Sequence, residues 1–163
     1  MKSIFSVLVE NKAGILARTA GLFARRGFNI DSLAVGETAD PRVSRMTIVV
    51  DGDQAVIGQV EKQLNKQIDV IKVRLLNTDD AVRREAALIK VRAGAEVRGQ
   101  ITDIAAIMKA NIADLSAATV TLEIVDTPER VLQLLDLLAP YGIAEMARTG
   151  AFALLKGDGA LSV

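Results

Sequence analysis

Two kinds of apolar periodicity alternate along this chain in the order strand, helix, strand, strand, helix, strand, and the same order then runs a second time. Few architectures accept that order. The first strand and helix need a crossover, the middle strands need only a turn, and one apolar face of the sheet must receive both helices. Residues 3–9 (SIFSVLV) read as a largely buried strand, and Asn11–Gly14 as the turn after it. From Ile15 to Arg26 the apolar positions Ile15, Leu16, Leu22 and Phe23 repeat at helical spacing, with Arg18, Arg25 and Arg26 on the wet face and Gly27 as the stop. Residues 29–36 and 43–51 are strands about the turn Ala39-Asp40-Pro41, residues 53–66 a second amphipathic helix, and residues 70–76 a strand buried on one side.

The second pass is read from strands at 86–93, 112–115, 120–125 and 143–147 and from two helical stripes. One stripe runs from Val97 to Met108. The other starts at Thr127-Pro128, an N-cap followed by proline in the first turn, and is stopped by Pro140. Phe152–Leu155 is expected as a terminal strand and 156–163 as a loose tail. Arg26–Leu33 and Met108–Leu115 fall at equivalent helix-to-strand junctions, a short internal repeat. The expected fold is therefore α+β, two tandem ferredoxin-like βαββαβ modules: residues 1–76, a polar linker 77–84, and residues 85–163.

Composition narrows the chemistry. With no Cys and no His, the chain has no disulfide, no thiolate or imidazole metal ligand, and no Ser-His or Cys-His nucleophile. Lys plus Arg balance Asp plus Glu at 20 each, so no global field attracts a polyanion or an anionic membrane. The pairs Arg25-Arg26 and Arg83-Arg84 read as solvated charges. No phosphate-cradling glycine motif occurs, no apolar run reaches the ~18 residues of a membrane span, and the first residues lack the order of an export signal. Carboxylate-only chemistry, on an enzyme of the ferredoxin-like fold, stays open; a non-enzymatic protein of the cytoplasm, without nucleic-acid or membrane partners, is expected.

The turn Asn11-Lys12-Ala13-Gly14 leads into the first helix, whose free N–H groups suit a carboxylate, and Gly14 lets a ligand approach the backbone. Asn11 is either a cap or a ligand contact. Asn29, after Gly27, is either a turn residue or a second contact, and it is expected to converge with Asn11 and Gly14. An Asn amide both donates and accepts, which suits an amino acid's ammonium and carboxylate. Arg45 is a minor further candidate, either pairing with Asp31 or a partner's carboxylate across strands or forming a surface ion pair of no great importance.

Through Glu10–Gly14, Gly21–Leu33 and Ser44–Ile48, and more loosely through Glu85–Val91, Tyr141–Ile143 and Ala147–Gly150, the sequence resembles the regulatory small subunit of acetolactate synthase. The resemblance implies an N-terminal ACT domain, a C-terminal domain of related fold, and a homodimer formed through the ACT domain. It also implies a branched-chain amino acid effector, valine first, held between protomers by Asn11, Gly14, Asn29 and the backbone near Ile30. The implied partner is the catalytic large subunit, which carries thiamine diphosphate, Mg²⁺ and FAD; this chain itself would have no catalytic residue, metal or cofactor. A free-standing ACT sensor serving another enzyme or a transcription system is the alternative. The stretch Arg92–Gly99 departs from the family pattern, and Lys12 and Ala17 adjoin the implied site.

Overall fold

The computed structural model describes residues 2–163, which divide into two units: one runs to Val82 and takes back Ala151–Val163, the other is Arg83–Gly150. The first is built from β1 (Lys2–Glu10), α1 (Ile15–Arg26), β2 (Ile30–Glu37), β3 (Val43–Asp51), α2 (Gln54–Asn65) and β4 (Val70–Leu76). Its antiparallel sheet has the order β2-β3-β1-β4.

Alternate residues of β1 serve two different apolar layers. Phe5, Val7 and Val9 pack with Leu22, Phe23, Met46, Ile48, Val60 and Leu64 under the helices. Ile4 and Leu8 face the other way, and both are buried as well. That second layer is closed by the chain's own end. Ala151 and Ala153 pack with Ile4, Val49 and Leu76, and Leu161 packs with Leu8 and Val43. The guanidinium of Arg45 donates to Ser6 Oγ and to the Leu161 carbonyl, and Lys72 Nζ donates to the Ser162 carbonyl. A strand buried on both faces carries an almost unbroken apolar run, which is how SIFSVLV reads.

The second unit repeats the topology with most of β5 (Ala81–Arg92), then α3 (Ala95–Met108), β6 (Asn111–Leu115), β7 (Thr119–Asp126), α4 (Pro128–Leu138) and β8 (Ile143–Arg148), in the order β6-β7-β5-β8. Ala87, Ile89 and Val91 of β5 pack with Ile101, Met108, Leu122, Leu134 and Leu138. The internal repeat is structural: Gly27 (φ 69) and Lys109 (φ 58) end α1 and α3 in the same left-handed conformation.

The boundary between the units, Val82/Arg83, falls inside 77–84; there the Asn77 side chain accepts from the Asp79 N–H, and Ala81, already in β5, is buried. Residues 151–163, read by sequence order with the second module, pack in the first unit. Two expectations need correction. The tail is anchored, since burying Leu161 and satisfying Arg45 outweigh the freedom of a short glycine-containing arm. And Arg45 does not pair with Asp31, which is bound by Lys2 at 2.6 Å.

Candidate functional site

β1 ends where its last ladder partner, Val43, begins β3. The chain leaves the sheet there tied to the β2–β3 hairpin. The Asn11 N–H donates to the Arg42 carbonyl at 2.7 Å, and Asn11 Nδ2 donates to the Pro41 carbonyl at 2.8 Å and to Glu37 Oε1 at 3.1 Å. The hairpin is braced in turn by Arg42, whose side chain and backbone N–H both bind Asp40. Hydrogen bonds from that side chain and backbone hold the Asp40 carboxyl well below its ordinary 3.8, at about 2.

Asn11 is therefore not a cap. The N-cap of α1 is Gly14, in the left-handed region at φ 84, with no side-chain cap and no acidic residue in the first turn. A helix start without its own anion presents N–H groups and the positive end of the dipole to whatever docks there. Cationic charge adjoins it: Arg18 Nη1 lies 3.2 Å from the point where a Cβ at position 14 would sit, while Arg18 Nε and Nη2 bind Asp69. Lys12 pairs with Glu10, and that hydrogen bond raises its ammonium pKa.

The expected convergence of Asn29 with Asn11 and Gly14 does not occur within one chain. β2 runs parallel to β1, so Ile30 opposes Val50, beside the start of β1, whereas Asn11 follows its end. Seven residues of strand, about 23 Å, separate the two ends. Asn29 and Ile30 instead lie at the head of β2, an edge strand with one side unpaired in the sheet order. The residues that do meet at the Asn11 end and that the sequence reading did not name are Glu37 and the carbonyls of Pro41 and Arg42. The visible signal for them was the Ala39-Asp40-Pro41 turn, which two antiparallel strands carry to the end of β1.

Among the described residues no group of three or more His, Cys, Asp or Glu is placed to hold a metal ion. No helix among them is long and apolar enough to cross a membrane.

A β2-β3-β1-β4 sheet with two helices on one face, an uncapped helix start after β1 and a free β2 edge define a module of the ACT type. Comparison with known families agrees: residues 5–72 match the AHAS small subunit-like ACT domain, and residues 84–157 match the small subunit of acetolactate synthase. The chain is 50% identical over 158 residues to a probable acetolactate synthase small subunit of Archaeoglobus fulgidus, covering 97% of this chain and 99% of that one. It is 50% identical over 152 residues to the acetolactate synthase small subunit of Mycolicibacterium smegmatis, covering 93% of this chain and 89% of that one. The crystal structure of the acetolactate synthase small subunit from Thermotoga maritima superposes with a TM-score of 0.89 at 38% identity, covering 98% of this chain and 99% of that one. The chain belongs to the acetolactate synthase small-subunit family.

Proposed function

We propose that this protein is the regulatory subunit of acetolactate synthase: it binds the catalytic large subunit, raises its activity, and transmits feedback inhibition by a branched-chain amino acid, valine first. Thiamine diphosphate, Mg²⁺ and FAD are assigned to the catalytic chain, as the family likeness implies, and this sequence has no phosphate-cradling glycine motif of its own. The chain does its work in the cytoplasm, with the large subunit.

The observation that supports a shared effector site is that Asn11 with Gly14, and Asn29 with Ile30, stand at opposite ends of one sheet whose β2 is an edge strand. Edge strands pair readily with a copy of themselves, and a two-fold axis pairs them antiparallel. Pairing centred between Leu33 and Ala34 sets Ile30 of one copy against Glu37 of the other. Asn29 and Ile30 then reach the turn holding Asn11 and Gly14 across the interface. The helix start takes the amino acid's carboxylate, and the apolar head of the neighbouring strand faces its side chain. Inhibition requires the effector to bind two states of the assembly unequally, a coupling of about 1–3 kcal/mol.

The test is complementation between copies. Gly14→Asp and Asn29→Ala homodimers should each lose valine binding in calorimetric titration. A mixed dimer carries one doubly damaged site and one intact site, so it should recover binding at half the wild-type stoichiometry. Mixed dimers with no recovered site would place both halves in one chain and end the shared-site reading. Separately, the purified large subunit should turn over faster when this chain is added.

A further inference from the structure

The amide of Asn11 is fixed in one orientation by what surrounds it. Its nitrogen has two hydrogens, and the Pro41 carbonyl (2.8 Å) and the Glu37 carboxylate (3.1 Å) take both. A backbone carbonyl and a carboxylate only accept, so the amide cannot be turned over without setting oxygen against oxygen at two places. With the nitrogen used up, only Oδ1 is left for a ligand. It is an acceptor and nothing else. The sequence expectation that Asn11 donates and accepts at once is therefore replaced by a single role.

We infer that Glu37 is a positioning and specificity residue of the effector site: it holds the Asn11 carbonyl outward and adds a negative charge, so that the site requires an α-ammonium and rejects the 2-oxo acid of the same carbon skeleton. The inference rests on Asn11 being an effector contact. It divides the effector between two poles of opposite character. The uncapped start of α1, with Arg18 beside it, is the anion pole. Glu37 and the Asn11 carbonyl are the cation pole. An α-amino acid carries both charges on adjacent groups, whereas its 2-oxo acid presents only the anion and turns a carbonyl oxygen toward an oxygen already there. Glu37 is exposed at the end of β2, so replacing it leaves both apolar layers untouched. In the two-fold pairing it also lies beside Asn29 of the other copy, where the cation pole closes.

The experiment is calorimetric titration of the full chain with valine and with 2-oxo-3-methylbutanoate, in wild type, Glu37→Gln and Glu37→Ala, alongside NMR of the Asn11 side-chain amide. Wild type should prefer valine by about a hundredfold or more, as sites that hydrogen-bond a polar group reject analogues lacking it. Gln keeps an acceptor for Nδ2 and removes the charge, so E37Q should lose about tenfold in valine affinity with the Asn11 amide resonances in place. Ala removes both, so E37A should shift those resonances, speed their exchange, and narrow the preference to about tenfold or less. An unchanged preference in E37A, or an unmoved Asn11 amide, overturns the role of Glu37 while leaving the effector site standing. A wild-type chain that binds neither compound overturns the effector site and this inference with it.

Discussion

The two units share a topology and differ in what occupies equivalent surfaces. At the start of α1 the turn supplies no anion of its own, with glycine at the N-cap, no acidic residue in the first turn and Arg18 Nη1 beside it. At the start of α3 the turn is full. Gly94 is again the N-cap, but Glu96 folds its carboxylate into the space where a side chain at 94 would begin, and Arg98 Nη2 donates to the carbonyls of Ser116 and Ala117. The second helix supplies its own anion, and the first leaves the place for one. The outer sheet faces differ in the opposite sense: Leu8 of the first is sealed by Leu161, whereas Leu88 and Val125 of the second stand 46% and 56% exposed. The two units share a frame and leave different surfaces open, a turn in one and a sheet face in the other.

The sharpest way to break this contrast is to put a carboxylate at each helix start. Gly14→Asp places a negative group where the effector's own is proposed to dock, and Asp tolerates the left-handed backbone better than most residues. Juxtaposed like charges cost several kcal/mol, so valine affinity should fall by about a hundredfold or more. The matched change in the second unit, Gly94→Asp, meets a turn that already holds Glu96 and should leave valine affinity within about twofold. Equal losses in both variants, measured by titration calorimetry, would dissolve the distinction.

The sheet faces yield the next largest effect, now in stability. Leu8→Ala empties a site that is 2% exposed and should cost about 2–4 kcal/mol in denaturant unfolding. Leu88→Ala, on the bare face, should cost about 1 kcal/mol or less. Deleting residues 160–163 should reproduce part of the Leu8→Ala loss, about 1–2 kcal/mol, because it removes Leu161 and the carbonyl bound by Arg45. No loss from that deletion would mean that the tail only rests on the sheet.

How far the sequence reveals this arrangement depends on the range of the forces involved. Thr127-Pro128 announces α4 because capping and proline geometry are local, and the Thr127 hydroxyl does accept from the Arg130 N–H. The apolar run of β1 announces burial on both faces but not what covers the second one. Ala151, Ala153 and Leu161 are too few and too scattered to form a pattern, and they matter only once the chain has returned. The place of Asn29 does follow from chain order: a strand after a crossover helix runs parallel to the strand before it, so the head of β2 falls at the same end of the sheet as the head of β1, with β3 between them. The Asn11–Glu37 contact spans 26 residues and follows from the ladder register, which periodicity alone does not fix.

A smaller effect tests the internal repeat at its seam. Gly27 and Lys109 hold the same left-handed C-cap, which glycine adopts freely and lysine does not. Lys109→Gly should therefore stabilise the second unit by about 1 kcal/mol, and Gly27→Lys should destabilise the first by a similar amount. Opposite signs in thermal unfolding would establish the two junctions as one motif, and equal signs would separate them.

The least effect is a flat one. Asp40 braces the hairpin that carries the Asn11 contacts, and its hydrogen bonds from the Arg42 side chain and backbone hold its carboxyl at about 2. A carboxyl lowered on folding adds stability that is fully present above its unfolded value near 3.8 and is lost as pH falls through about 2. Between pH 7 and 4.5 the bond between Asp40 and Arg42 should therefore not change. In the second unit Asp126 faces burial, which pushes its carboxyl up, yet the Thr127 N–H and the Arg130 guanidinium still bring it below the ordinary value. Both side-chain carboxyl ¹³C resonances should thus titrate below 3.8, Asp40 near 2, and Arg42→Gln should move the Asp40 midpoint back toward 3.8 without moving that of Asp126. An Asp40 midpoint already at 3.8 in the wild type would mean that Arg42 does not brace the turn, and that the Asn11 end is held by its backbone bond to the Arg42 carbonyl and its amide bonds to Pro41 and Glu37 alone.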